Sequence, residues 1–275
     1  MRLGERLLVG LDAVGRRVLP FGSAPDIRSD EVEGERFQGQ LARSRLFDDG
    51  FRIPLEVDGK VVLEVGAGFG ALQLELLERG ASRTIAVDVD PHLLERLRAR
   101  VGEDARVELV HAAIEGCPLA DETVDVVVSD ATFEHLTDIP AALGEIKRML
   151  RPGGLVYTRF GPTWLHFNGP HLITYLHVPW VHLLFSQRTI RAVLERYKRE
   201  RRYPPVSIEA RIEDLERMNR LSVRGYRTAF EQSGLEVLQF ENVSPRRWKQ
   251  ILTRLPALGE LLAGSVVAVL RKRPA

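Results

Sequence analysis

Short apolar runs alternate with helical repeats through the middle of the chain. In KVVLEVGAGFG, residues 60–70, Val61, Val62, Leu63 and Val65 are apolar and mostly β-branched. That is the pattern of a central parallel strand buried on both faces, and Glu64 is its one interruption. The run breaks at Gly66, Gly68 and Gly70, and ALQLELLERG behind it has helical spacing up to Gly80. Further strands are predicted at Thr84–Val87, Val107–Val110, Val124–Val128 and Leu155–Phe160, with Arg151–Gly154 as a turn. GYRTAFEQSGLEVLQFENV reads as helix, glycine, sixth strand, and SVVAVLRKRP as a last strand. Strands alternating with helices predict an α/β fold around a mostly parallel sheet.

Two segments fall outside this rhythm. Residues 1–20 form an amphipathic helix, with Leu3, Leu7, Leu8, Leu11, Val14 and Val18 at roughly helical spacing and arginines on the other face. Such a helix packs on its own domain, on a second subunit, or on a membrane surface. After the break Pro20–Pro25, residues 26–50 are charged and partly helical in pattern. Residues 161–221 interrupt the strand pattern with aromatics, histidines and a basic helix, RTIRAVLERYKRERRYPP. That helix reads mainly as a solvated face, with binding of a phosphorylated substrate as the alternative.

The 275 residues suit one large domain with a substantial insertion. Charged residues at 28% and a net charge of +1 carry no polyanion-binding signature, so no nucleic acid is expected. The single cysteine, Cys117, rules out an intramolecular disulfide and a multi-cysteine metal site. No apolar run reaches membrane-spanning length and the first twenty residues carry charge throughout, so the expected location is the cytoplasm.

Strand, glycine turn and helix N-terminus together make a nucleotide-binding geometry at the carboxyl edge of a sheet. The spacing E-x-G-x-G-x-G differs from the dinucleotide fingerprint G-x-G-x-x-G, and a phosphate-binding G-x-x-x-x-G-K-[ST] is absent. Asp88 ends the second strand about 20 residues past the glycines, where a carboxylate can accept hydrogen bonds from both ribose hydroxyls. Asp90, before Pro91, competes for that role but also reads as a helix N-cap.

The E-x-G-x-G-x-G run resembles motif I of the class I S-adenosylmethionine-dependent methyltransferases. Downstream, VDVVVSD and ATFEHLTDIPAALGEIKRMLRPGG resemble the fourth strand and following run of the small-molecule, type 11 members. The resemblance is strong over about residues 58–160 and weaker over 222–272. It implies a Rossmann-like seven-stranded, mostly parallel sheet with an antiparallel last strand and helices on both faces. Residues 1–50 are then a helical cap or lid, with Phe37, Arg43, Arg45 and Phe47 as candidate lid residues. Residues 51–275 are the methyltransferase domain, with a substrate-binding insertion at about 161–221.

The implied ligand is S-adenosyl-L-methionine, leaving as S-adenosyl-L-homocysteine. Gly66, Ala67, Gly68 and Gly70 would approach its methionine part, with Glu64 under the turn. Asp88 and the adjoining Val89 would hold the ribose, and Ala113 and Ile114 would flank adenine. The family's acidic residue at the end of the third strand is here Ala113, which cannot make that contact with its side chain. Asp130 lies at the edge where the methyl group projects. Three other readings of the site are binding without transfer, a nicotinamide-dependent oxidoreductase, against which the glycine spacing argues, and action on a lipid or lipid-linked sugar.

Methyl transfer needs in-line approach of the acceptor and, for an O–H or N–H acceptor, a base. His135 is the candidate base and Glu134 its companion; the alternative is that both only fix the loop. Trp164, His166, His171 and Trp180 are candidate contacts to a small-molecule acceptor. The four insertion histidines, His166, His171, His177 and His182, are spaced five, six and five residues apart, which does not place them on one helical face. No metal is expected from that spacing.

Overall fold

The structure, a computed structural model, describes residues 2–19, 37–42, 47, 50–203, 205–243, 256–262 and 264–274. Its strands are β1 (Val61–Val65), β2 (Arg83–Asp88), β3 (Val107–His111), β4 (Val124–Asp130), β5 (Leu150–Phe160), β6 (Glu236–Val243) and β7 (Ser265–Arg271). They form one sheet in the order β3-β2-β1-β4-β5-β7-β6. Neighbours pair in parallel from β3 to β5, and β7 runs antiparallel to both β5 and β6. The order reverses between β1 and β4, which opens a crevice at the carboxyl ends of those strands.

Around the sheet lie α2 (Ala71–Glu78), α3 (Pro91–Val101), α4 (Ile139–Met149), α8 (Val223–Gln232) and α9 (Pro256–Leu262). The pleat sends alternate residues to opposite faces. Leu63 and Val127 pack with Leu143, Ile146 and Phe230 on one side. Val62, Val126 and Val128 pack with Leu72, Leu76 and Tyr157 on the other. Glu64 shares the second face with Val62 and meets Gln73 of α2.

RPGG is part of β5 rather than a turn before it. The β4 register slips between Val124 and Val126 to accommodate it. Beyond β7, Lys272 pairs with this bulge, accepting from Gly153 N–H and donating to the Gly154 carbonyl.

Residues 161–221 carry α5 (Val181–Leu184), α6 (Gln187–Arg199) and α7 (Pro205–Arg217). Together with α1 (Leu3–Val18) they build a second core around Leu8, Leu172, Leu176, Ile190, Leu194 and Tyr197. The N-terminal helix therefore packs on the insertion of its own chain. At its centre the buried Asp12 carboxylate accepts from His177 N–H (2.7 Å) and Tyr197 O–H (2.6 Å) and pairs with Arg16 (3.0 Å). Burial, with Asp12 alongside, raises the Tyr197 phenol above its usual value. Buried donors left without an acceptor cost about 1–3 kcal/mol each, so this one carboxylate is a principal tie between α1 and the insertion. A Cβ at Gly15 would fall 1.8 Å from the His177 carbonyl oxygen, so only glycine permits this approach.

The basic helix α6 is matched within the insertion by Glu216 to Arg191 and Glu209 to Lys198, which supports the solvated-face reading. Of the candidate lid residues, Phe47 is fully buried and packs edge-on against Phe51, so it belongs to the core. Phe37 lies beneath the Arg100 guanidinium at 4.2 Å. Arg43 and Arg45 lie outside the described residues.

Candidate active site

A cleft of about 1000 Å³ opens where the sheet order reverses. Gly66, Gly68, Asp88, Val89, Ala113, Ile114, Asp130 and His135 all line it.

The glycine turn is shaped by contacts that a side chain would destroy. Gly66 has φ 75°, and a Cβ there would fall 2.2 Å from Thr132 Oγ1. Gly70, at φ 82°, is the N-cap of α2, and a Cβ would fall 2.3 Å from Leu97. Gly66 and Ala67 both donate to the Val87 carbonyl, which pins the turn to the end of β2. Gln40, in the helical stretch 37–42, closes the turn from above. Its Oε1 accepts from Phe69 N–H (3.0 Å) and its Nε2 donates to the Ala67 carbonyl (3.3 Å).

Asp88 sits at the end of β2 with both carboxylate oxygens engaged by backbone. Oδ2 accepts from Gly68 N–H and Oδ1 from Asp90 N–H, each at 2.9 Å. Each oxygen keeps a second lone pair for a ligand. Asp90 caps α3 by accepting from His92 N–H, as its place before Pro91 predicts. Glu64 is buried and does not line the cleft; its Oε2 accepts from Gln73 Nε2 at 2.8 Å. Burial, reinforced by Asp130 and Asp88 and opposed by the Gln73 hydrogen bond, pushes its carboxyl well above the usual range.

On the far side of Asp88, Ala113 precedes a short 3₁₀ turn, Ile114–Gly116, and Leu93, Ala112 and Ile114 give that end an apolar lining. At the β4 edge Asp130 is braced by Arg159 (3.2 Å), and Ala131, at φ 56°, donates to the Arg159 carbonyl.

The turn Phe133–His135 divides its two ionisable residues. Glu134 points inward, fully buried, and its Oε1 accepts from Gly161 N–H at 3.1 Å. Burial pushes its pKa up to about 8, against the pull of backbone N–H groups including that of Gly161. His135 points to the cleft with 39% of its side chain exposed, and its Nδ1 lies 3.7 Å from Asp214 of α7. Desolvation by the packing around it lowers its pKa, and Asp214 opposes this. Asn219 bolts the turn in place, donating from Nδ2 to the carbonyls of Phe133 and Leu136.

The insertion candidates separate. Trp164 packs against His182, His166 against Phe167, and Trp180 donates from Nε1 to the Leu165 carbonyl. None of the three lines the cleft. His177 belongs to the Asp12 cluster. His171 alone reaches the site, its ring stacked at 6.0 Å on His135. The insertion instead contributes Tyr175 and Arg217 to the cleft wall. Gln40, Asp214 and Asn219 escaped the sequence reading because each meets the site through the fold and lies in no motif.

Comparison with known proteins follows the same lines. A family model described as a methyltransferase domain matches residues 63–158. An uncharacterized methyltransferase of Mycobacteroides abscessus is 31% identical over 254 residues, 90% of this chain and 91% of that protein. Among solved structures, an S-adenosylmethionine-dependent methyltransferase from Mesorhizobium loti superposes with a TM-score of 0.55 at 17% identity, covering 86% of this chain and 99% of its own. A geranyl diphosphate methyltransferase in complex with S-adenosylmethionine does so with a TM-score of 0.55 at 14% identity, covering 91% and 96%. Those likenesses support the fold, while the family model and the near-full-length relative support the activity: the chain belongs to the class I S-adenosylmethionine-dependent methyltransferases.

Proposed function

We propose that the enzyme methylates an O, N or C atom of a small-molecule acceptor that enters between the β4 edge and the insertion. The observation that carries this is the Asp88 carboxylate, held at the switch point beside a glycine turn and open to the same cleft as His135. The residues fit S-adenosylmethionine: Gly66 and Gly68 present bare backbone to the cleft beside the Asp88 carboxylate, and the close packing of Gly66 on Thr132 and of Gly70 on Leu97 holds that turn in shape. Asp88 accepts hydrogen bonds from the ribose hydroxyls, and Ala113 and Ile114 flank the adenine. Gly66, Ala67, Gly68 and Gly70 leave room for the methionine part, while Glu64 stiffens the turn from beneath through Gln73. Bound S-adenosylmethionine supplies an electrophilic methyl group on its sulfonium.

The remaining work is positioning. Asp130, Ala131 and Thr132 form the edge along which the acceptor aligns. His135 takes the proton of an O–H or N–H acceptor, and Asp214 behind it favours the imidazolium that results. Glu134, buried and proton-bearing at neutral pH, anchors the turn that carries His135.

A second reading concerns where the acceptor resides. The face of α1 turned away from the insertion exposes Leu3 (84%), Leu7 (56%), Val14 (59%) and Val18 (72%). Arg2, Arg6 and Arg17 on the same helix are exposed as well. An apolar stripe with arginines beside it suits an anionic membrane surface, with the stripe in the acyl boundary and the arginines at the phosphates. No helix among the described residues is long and apolar enough to cross a membrane. Docking of this kind would give the cleft access to a lipid-like acceptor.

Three measurements test these assignments. In Asp88→Ala, loss of a charge-assisted contact of about 2 kcal/mol should weaken S-adenosylhomocysteine roughly 30-fold by fluorescence titration; unchanged affinity removes Asp88 from the site. Because His135 has its pKa lowered from 6.5, its base form is already populated at pH 7. With an acceptor identified by a methyl-transfer screen, kcat should rise with pH below 6.5 and stay flat above. His135→Ala should abolish that acid limb and cost about 10²–10⁴ in kcat; a retained limb takes His135 out of the reaction. Vesicles containing phosphatidylglycerol should co-sediment the wild type and release Leu7→Asp/Val14→Asp. Equal binding of both proteins, or a wild type that dimerises through α1 in solution, contradicts the membrane reading.

A further inference from the structure

The insertion histidines, considered only against one another, make no metal site. The fold takes one of them elsewhere. His171 meets Glu134 and His135, which come from the turn after β4, and one ligand atom from each lies within 4.8 Å of the others.

Two further observations concern this cluster. Glu134 Oε2 is buried and has no hydrogen-bond partner, while its Oε1 is occupied by Gly161 N–H. A buried carboxyl oxygen left without a partner is destabilising, and a cation is one group that would satisfy it. Behind His135, Asp214 faces Nδ1 at 3.7 Å and is itself held by Arg211 at 2.7 Å. A carboxylate behind an imidazole is the usual support of a metal-binding histidine, fixing its ring and raising its basicity.

We propose that Glu134, His135 and His171 bind one divalent transition-metal cation at the acceptor end of the cleft. This rests on the methyltransferase reading and deepens its acceptor side. Two imidazoles and one carboxylate, Glu134 giving up its proton to solvent as the cation binds, form a donor set suited to zinc, iron or manganese, with three protein ligands and at least one open position. Bonds of about 2.1 Å space tetrahedral donors roughly 3.4 Å apart, so the three groups, now within 4.8 Å of one another, draw together when the cation binds. The ring nitrogen of His135 away from Asp214 is the one that ligates. Of the three ligands His135 alone lines the cleft, so an acceptor would reach the open position from the His135 side. The acceptor class this favours carries a hydroxyl beside a second oxygen, so that both reach the cation. A metal-bound hydroxyl loses its proton to solvent far more readily than a free one, so the cation takes over the task that His135 performs alone in the metal-free protein.

The test uses the full chain after chelator treatment. Zn²⁺ is titrated by calorimetry and Mn²⁺ by electron paramagnetic resonance, on the wild type, His171→Ala, Glu134→Gln and the outlying His166→Ala. The expected result is one cation per chain in the wild type and in His166→Ala, weakened at least 10-fold in His171→Ala and Glu134→Gln. Should one of those two variants fail to fold, the other decides. Absence of binding in the wild type, or equal affinity across all four proteins, overturns the site. S-adenosylhomocysteine titrated in parallel separates the two readings: its retention with no cation bound overturns the metal site alone, and its loss in the wild type overturns the reading beneath it.

Discussion

One carboxylate organises the cleft. Asp88 ends β2, yet its oxygens accept from the backbone of Gly68, in the turn after β1, and of Asp90, before α3. Two parallel strands and the start of a helix are thereby locked in one geometry at the point where the sheet order reverses. The glycines make this possible. Gly66 lies against Thr132 and Gly70 against Leu97 at separations that leave no room for a Cβ. The site is therefore shaped before any ligand arrives, and the charge that would hold a ribose already has its orientation fixed.

The wall of the cleft beyond the β4 edge is built on different principles. It depends on α1 and residues 161–221, which share a core of their own around Asp12. From that core come Tyr175 and Arg217 on the cleft wall, His171 against His135, and Asp214 behind it. Asn219 then ties the insertion's end to the turn that carries Glu134 and His135. Under the function proposed above, the sheet edge would hold the donor, and a helical cap that the sheet does not specify would meet the acceptor.

This division explains what was legible in the sequence. The sheet, its glycine turn and the place of Asp88 follow from local patterns: buried β-branched runs, glycines at fixed spacing, an acid at a strand end. RPGG has the local chemistry of a turn, and the pairing with Lys272 that makes it strand comes from more than a hundred residues away. Phe47 reads as a lid residue from its place ahead of the first strand, where the resembling enzymes carry a lid, whereas its neighbours in space are Phe51 and the β-sheet core. In the insertion, aromatic and histidine content signalled a site, but composition does not say which side chains turn inward. Trp164, His166 and Trp180 go to packing, and of the four candidates His171 is the one that meets a cleft residue, His135. Glu134 and His135 are adjacent in sequence and opposite in environment, one sealed and raised to about 8, the other open and lowered.

The central claim is that the edge formed by β1, β2 and β4 is a site for S-adenosylmethionine and not for a dinucleotide. Calorimetry of the wild-type chain with S-adenosylhomocysteine and with NAD tests it most directly. One S-adenosylhomocysteine bound per chain, with no heat from NAD, is the result expected; binding of NAD without S-adenosylhomocysteine would contradict it.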